Sequence, residues 1–381
     1  YLQQVQNQPD SSFVVIALPP IEVHFRSDPS LYPDGWTECM IPIGLLRRLL
    51  NTPGYPQPLQ QLPEIRHRVG PSPLGGTGLF ATVNLKPGDL VLNERAMMIK
   101  SRAYYRSAIE GNMSMEEYKK STFEGAEREI KTIFGRMTKE KQEAFMTLWN
   151  SHEHDGSGPL IGRLRTNAFG VELEDGGIAY AGLFDIASRV NHSCCPNLGR
   201  TFNKTTFAME LRTARHVKKG EELLTCYVGD PDGLTHARRQ ELASYQFDCR
   251  CPSCKRPEIT DQLRMSISKE KPQRYGRQRL VVWLMNQHLP ESYVVDHSLS
   301  QLRLMEKEGL EMASWYGDHL EFLAEVYCAM GNSEKALAYW RNFYTFLLVV
   351  HGEDVKFKDN FKASEKWRKR WSWRSRVSVM V

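Results

Sequence analysis

Apolar positions change their spacing along this chain, and each change marks a different kind of element. Between residues 65 and 100 short apolar runs alternate with turn residues: Gly78-Leu79-Phe80-Ala81-Thr82, then Lys86-Pro87-Gly88-Asp89, then Leu90-Val91-Leu92-Asn93-Glu94. These runs predict strand, turn and strand. Between Ser101 and Trp149 the apolar residues instead recur at helical intervals, as Ile130, Ile133, Phe134, Met137 and then Phe145, Leu148, Trp149, with Glu and Lys between them. That spacing predicts a helical insert. Strand texture returns over residues 168–173, 202–211 and 223–228, and after Arg256 only helical patterns follow, over 278–285, 298–316, 319–330 and 333–350.

Prolines shape the beginning of the chain. Pro19-Pro20, Pro53, Pro56, Pro58 and Pro63 interrupt residues 1–63, which predicts an irregular lead-in holding one strand near 13–17 and a short helix over 43–50. Near the other end, Ala324, Tyr327, Gly331, Ala336, Leu337 and Tyr339 have the spacing of one tetratricopeptide unit, or of an ordinary helical hairpin. One such unit cannot cover its own apolar face, so neighbouring helices must complete the layer. The expected organisation is α+β: a lead-in (1–63), a β-rich domain (64–256) with a helical insert (101–159), an all-α, TPR-like domain (257–365) and a basic tail (366–381) without order.

Composition narrows the class. With 381 residues, 41% hydrophobic and 25% charged, the chain reads as globular, and the apolar run 13–18 follows Gln and Asn rather than Lys or Arg, so it fits neither a signal peptide nor a membrane span. A nuclear or cytoplasmic location is the expectation. Six of the 8 cysteines lie between Cys194 and Cys254, and clustering of this kind points to metal rather than to a disulfide scaffold. The net charge of +5, from 50 basic and 45 acidic residues, does not call for nucleic acid. Only the tail departs from this balance, with Lys366, Arg368, Lys369, Arg370, Arg374 and Arg376 unopposed and Trp367, Trp371 and Trp373 among them.

The chemistry-bearing residues stand in a fixed order: Gly76-Thr77-Gly78; Asn191-His192-Ser193-Cys194-Cys195-Pro196-Asn197; Gly220-Glu221-Glu222-Leu223-Leu224-Thr225-Cys226-Tyr227; and Cys249-Arg250-Cys251-Pro252-Ser253-Cys254. A Gly-x-Gly triplet lets backbone groups approach a ligand, yet alone it says nothing, since Gly156-Ser157-Gly158 is another in a polar loop. Asn-His-Ser alone is a polar turn, and a Tyr at a strand end is ordinarily core. Cys249, Cys251 and Cys254 offer three ligands where tetrahedral zinc needs four. Zinc, an iron–sulfur centre and free thiols all fit three cysteines, and Cys194, Cys195 and Cys226 compete for the fourth place. His152-Glu153-His154-Asp155 lacks the pairing of a zinc protease and reads as a solvated loop, and Asp230-Pro231-Asp232-Gly233 reads as a turn.

Taken together, this order resembles a SET domain, the fold of protein-lysine N-methyltransferases, over residues 64 to 254. The split layout with a helical C-terminal part resembles the SET and MYND family. The insert, however, contains no cysteine, so a MYND finger is missing there and the likeness is to fungal SET-domain proteins that lack it. The resemblance implies S-adenosyl-L-methionine as methyl donor, bound by Gly75, Gly76, Thr77, Gly78, Asn191, His192, Tyr227 and Phe247, the last stacking on adenine. It implies Tyr227 as the catalytic residue, a lysine channel lined by Asn167, Phe169, Ser188 and Tyr245, and a zinc ion (Zn2+) held by Cys194, Cys249, Cys251 and Cys254. The implied substrate is a lysine of a histone tail or of another protein, with no membrane and no direct nucleic-acid contact. Two rival readings are a catalytically inactive SET scaffold that binds partners through the helical domain, and a nucleic-acid module using the basic tail.

Overall fold

The computed structural model describes residues 8–21, 32–102, 113–173, 180–269 and 272–352. The basic tail with its three tryptophans lies outside the described residues. Twelve short strands form three sheets among the described residues. The first joins β1 (Phe13–Leu18), β2 (Thr37–Pro42), β6 (Met98–Ser101), β8 (Tyr180–Leu183) and β7 (Phe169–Val171), in that spatial order. The second orders β10 (Leu198–Asn203), β11 (Ala208–Thr213) and β5 (Leu90–Glu94), and the third β3 (His67–Pro71), β4 (Thr77–Ala81), β12 (Glu222–Thr225) and β9 (Asn191–His192). Leu18, Ile41, Leu79, Val91, Ile99, Leu211 and Leu223 from all three sheets meet Phe184 and Phe207 of the connecting loops in one buried core.

The lead-in is more ordered than its prolines suggest. β1 pairs antiparallel with β2, β2 runs parallel to β6, and helix α1 (Ile43–Leu50) follows directly, burying Ile43, Leu45, Leu46 and Leu49 in the core. β1 is apolar throughout and buries Ile16, Ala17 and Leu18 in succession, while β2 buries Cys39 and Ile41, so apolar residues for pairing are present despite the surrounding prolines.

In the insert, α2 (Met115–Phe134) begins with a capping box between Ser114 and Glu117, and α3 (Lys139–Thr147) begins at Thr138. Helix α4 (Pro159–Asn167) has no cap of its own; Glu127 of α2 accepts from its Leu160 and Ile161 N–H groups at 3.1 and 2.7 Å. A carboxylate at that end complements the helix dipole and fixes α4 on α2. Ile130, Ile133, Phe145 and Ile161 then cover Met98 and Leu183 of the first sheet. In the loop 152–155, Glu153 and His154 are exposed as expected, but His152 is buried, and its Nδ1 pairs with Asp155 at 2.9 Å.

Two predicted elements divide. The strand expected over 202–211 is the hairpin β10–β11, because Asn203 Oδ1 accepts from the N–H groups of Thr205 and Thr206 and Phe207 takes φ 54°. The helix expected over 298–316 breaks at Gly309, φ 68°, into α8 (Ser292–Glu308) and α9 (Ser314–Ala329). Helices α5 (Thr235–Leu242), α6 (Pro257–Lys269), α7 (Pro272–Met285) and α10 (Ser333–His351) complete the chain. Helices α9 and α10 form the hairpin carrying the tetratricopeptide-like residues, with Tyr327 stacked on Tyr339 at 5.5 Å and Ala324 and Ala336 fully buried. The end of α10 lies against β10, where a Cβ on Gly199 would stand 2.5 Å from Val349.

Candidate active site and metal centre

β4, β12 and β9 build the floor of the site. Asn191 and His192 pair in parallel with Leu224 and Thr225, and Asn197 fastens the return of the chain by donating to Glu222 O at 2.9 Å and accepting from Leu224 N at 2.7 Å. Asn191 Nδ2 donates to Thr77 O at 3.0 Å and to Glu222 Oε1 at 2.8 Å, and Ser72 Oγ donates to the same carboxylate oxygen at 2.8 Å. The Glu222 carboxylate thus ties the glycine turn to the Asn191 strand. A Cβ on Gly78 would collide with that carboxylate and stand 3.0 Å from Asn191 Nδ2. Gly75 and Gly76 take φ 110° and 62°, and nothing lies within 4 Å of where their side chains would be, so this turn is both left-handed and open.

Tyr227 leaves the ladder two residues after β12. Its N–H donates to His192 Nδ1 at 3.0 Å, and its phenol donates to Val190 O at 2.6 Å. Burial pushes the phenol up, so it stays neutral and remains a donor. Rings surround it: His192 at 5.3 Å, Tyr245 at 5.0 Å and Phe247 at 6.4 Å. Phe247 is 40% exposed. Phe169 packs against Phe184 in a T-shaped arrangement at 5.9 Å and takes the Arg200 guanidinium over its ring at 5.3 Å. Asn167 and Ser188 spend their polar atoms on the framework: Asn167 Nδ2 donates to Trp149 O, and Ser188 Oγ bridges Phe184 N and Asn167 O at 3.0 Å each.

The cysteines converge below these rings. The sulfurs of Cys194, Cys249, Cys251 and Cys254 all lie within 4.8 Å of one another, with Cys194 3.9 Å from Cys249 and 3.6 Å from Cys254. A tetrahedral zinc with Zn–S bonds of about 2.3 Å requires sulfurs roughly 3.8 Å apart, so these residues fit that ion. Hydrogen bonds from neighbouring thiols, Cys194 foremost, pull Cys251 well down and Cys254 to about 6, Arg238 adding to the latter. Cys195 lies outside this four-sulfur set, its sulfur hydrogen-bonded to the Cys251 thiol and 3.4 Å from Arg264, and burial pushes Cys226 up to about 11 beside Val228 O.

One link was not legible in the sequence. His192 accepts from the Tyr227 amide through Nδ1, so Nε2 carries the proton and meets Cys194 Sγ at 3.2 Å. Burial, with Arg238 adding to it, lowers His192 to about 4 and keeps the ring neutral. A single imidazole therefore joins the thiolate cluster to the tyrosine. A second feature missed was Arg200, whose place beside Phe169 depends on the hairpin register of β10 and not on any motif.

A β-rich core whose Asn-His strand runs parallel to the strand before a ringed tyrosine, closed by four thiols, defines a class, and residues 76–228 match the sequence model of the SET domain. The chain carries a SET domain homologous to those of lysine methyltransferases. Histone-lysine N-methyltransferase set5 of Schizosaccharomyces pombe is 29% identical over 189 residues, 49% of this chain and 50% of that protein. N-lysine methyltransferase SMYD2 of Homo sapiens is 35% identical over 103 residues, 27% of this chain and 23% of that one. Protein-lysine N-methyltransferase SMYD4 of Homo sapiens is 37% identical over 75 residues, covering 19% and 9%. The chain spans half the length of the yeast relative and less than a quarter of the human two. No helix among the described residues is long and apolar enough to cross a membrane.

Proposed function

We propose that this chain transfers a methyl group from S-adenosyl-L-methionine to the side-chain amine of a lysine in a protein, in the nucleus or cytoplasm. The observation that carries the reading is the bridging of the open Gly75–Gly76 turn to Tyr227 through Asn191 and His192. When bound, the donor supplies a methyl group on a positively charged sulfur. The glycine turn leaves room for its amino-acid end, and exposed Phe247 offers a face to its adenine. Methyl transfer is an in-line displacement, so alignment by Tyr227 and the walls Tyr245 and Phe169 contributes more than acid–base chemistry.

The amine must also lose its proton. A lysine with its ordinary pKa is neutral only about one part in a thousand near pH 7.4, a deficit of roughly 4 kcal/mol. An apolar cleft of Phe169, Tyr245 and Tyr227 offsets part of this by disfavouring the ammonium. Cys194, Cys249, Cys251 and Cys254 would hold a zinc ion, and their thiolates would then tie the segment that carries Tyr245 and Phe247 to the Asn191–Cys194 stretch. The names of the relatives support a protein lysine, with a histone lysine among the candidates. Retention of Asn191, His192 and Tyr227 together argues against an inactive scaffold.

The test is label transfer from tritiated S-adenosylmethionine to histones and to a cell extract. Labelled protein is expected, falling about a hundredfold in rate with Tyr227→Phe. A blank across all substrates, or equal labelling by the variant, would overturn the proposal.

A further inference from the structure

Two arginines border the aromatic walls of the cleft. Arg200 lays its guanidinium over Phe169 and donates through Nη1 to Cys226 O at 2.5 Å, with Thr225 Oγ1 at 3.4 Å; these are the residues just before Tyr227. The Tyr227 and Tyr245 phenols both feel its charge. Arg102 follows β6 and brings Nη2 to 3.6 Å from where a Cβ on Gly170 would stand, one residue beyond Phe169, and its charge reaches both Arg200 and Tyr245. Both arginines are exposed.

Their lack of carboxylate partners among the described residues is the informative point. Several other arginines near the core pair with a carboxylate, Arg189 with Asp185, Arg212 with Glu210, Arg215 with Glu311 and Arg264 with Glu308, while Arg95 donates from all three nitrogens to main-chain oxygens. Neither Arg102 nor Arg200 forms an ion pair with a carboxylate among the described residues. Two like charges side by side repel, and no carboxylate among the described residues pairs with either. Arg200 has committed Nη1 to main-chain and hydroxyl oxygens; its Nε and Nη2 face has no partner among the described residues and has the fork geometry that takes a carboxylate. A target lysine must thread between Phe169 and Tyr245, so the residues on either side of it come to rest on the rim that these arginines occupy.

We propose that Arg102 and Arg200 form an anion-reading rim that selects proteins in which Asp or Glu flanks the target lysine. This rests on the methyltransferase reading of the cleft. Carboxylates beside the lysine meet the free guanidinium faces, whereas flanking Lys or Arg meets like charge. The rim thus determines specificity and takes no part in the transfer.

Binding can be read without turnover. Fluorescein-labelled peptides with one central lysine, flanked by Glu, by Ala or by Arg, are titrated against the full zinc-loaded chain saturated with S-adenosylhomocysteine, and anisotropy is followed at low and high salt. The Glu peptide is expected to bind about tenfold tighter than the Ala peptide, with the Arg peptide weakest and the differences shrinking as salt rises. Arg200→Met and Arg102→Met should each lose about three- to fivefold of that preference, Arg200→Lys should keep most of it, and Arg200→Glu should invert it. Unchanged thermal melts verify that the variants fold. Equal binding of the three peptides, tighter binding of the Arg peptide, a preference that survives in the Arg102→Met/Arg200→Met double variant, or no binding at all would overturn the proposal. A Glu peptide that binds as expected but takes no methyl group would sink the enzymatic reading and leave the rim standing.

Discussion

His192 carries more of the site than its place in a motif suggests. Its two nitrogens hold the Tyr227 amide at 3.0 Å and the Cys194 sulfur at 3.2 Å, so the tyrosine's position is set by the same residue that touches the thiolate cluster. Gly78 is equally constrained, because the space its Cβ would need is filled by a carboxylate already held by Ser72 and Asn191. Gly78→Ala should therefore displace Glu222, costing about 1–3 kcal/mol of stability and loosening the turn beside it. Thermal melts and donor titration read the two effects. A variant as stable as the parent with unaltered donor affinity would show that Glu222 moves aside freely.

At the scale of elements, the strands that carry contiguous chemistry were legible, as was the apolar strand β1, whereas the order in which distant strands pair was not. Asn191-His192 and Glu222 to Tyr227 announce themselves because the site requires these residue types at fixed positions. The order β1-β2-β6 depends on pairing between Cys39 and Ile99, some sixty residues apart, and leaves no local signature. Helix α1 was legible because apolar residues at 43, 45, 46 and 49 mark one face. The break at Gly309 was not, because its cause lies in another element: a Cβ there would stand 2.6 Å from that of Cys195. Nor did sequence reveal that Asn167 and Ser188 serve the framework, since Asn167 reaches Trp149 and Ser188 reaches Asn167, partners brought together only by the fold. The helical region also carries a pH dependence. Burial, with His297 adding to it, lowers His319 to about 4, while Ser298 Oγ lies 3.2 Å from its Nδ1. A histidine depressed on folding binds its proton more readily when unfolded, so stability is full above about pH 6.5 and falls towards pH 4, by up to about 3 kcal/mol. Urea unfolding at pH 7, 5.5 and 4.5 should show this fall for the parent and a flatter profile for His319→Gln; identical slopes would refute the assignment.

Across the whole molecule, buried arginines join the helical region to the metal centre. Arg264 of α6 is fully buried, pairs with Glu308 at the end of α8 and donates to Cys194 O at 3.2 Å, while Arg238 of α5 donates to Ser253 Oγ at 3.1 Å and faces Cys254 Sγ at 3.6 Å. Removing one partner of such a pair strands the other's charge. Arg264→Met should cost about 3–5 kcal/mol and lower zinc retention, measured by melting and by metal analysis after dialysis; a variant melting with the parent would separate the two regions energetically. The central claim is that the thiolate cluster holds together the cleft in which donor and amine meet. Isothermal titration of S-adenosylmethionine tests it most directly. The zinc-loaded chain should bind one donor with micromolar affinity, and chelation should abolish that binding, with recovery on adding zinc. A donor site that is missing in the zinc-loaded chain, or that survives complete metal removal, would contradict the account.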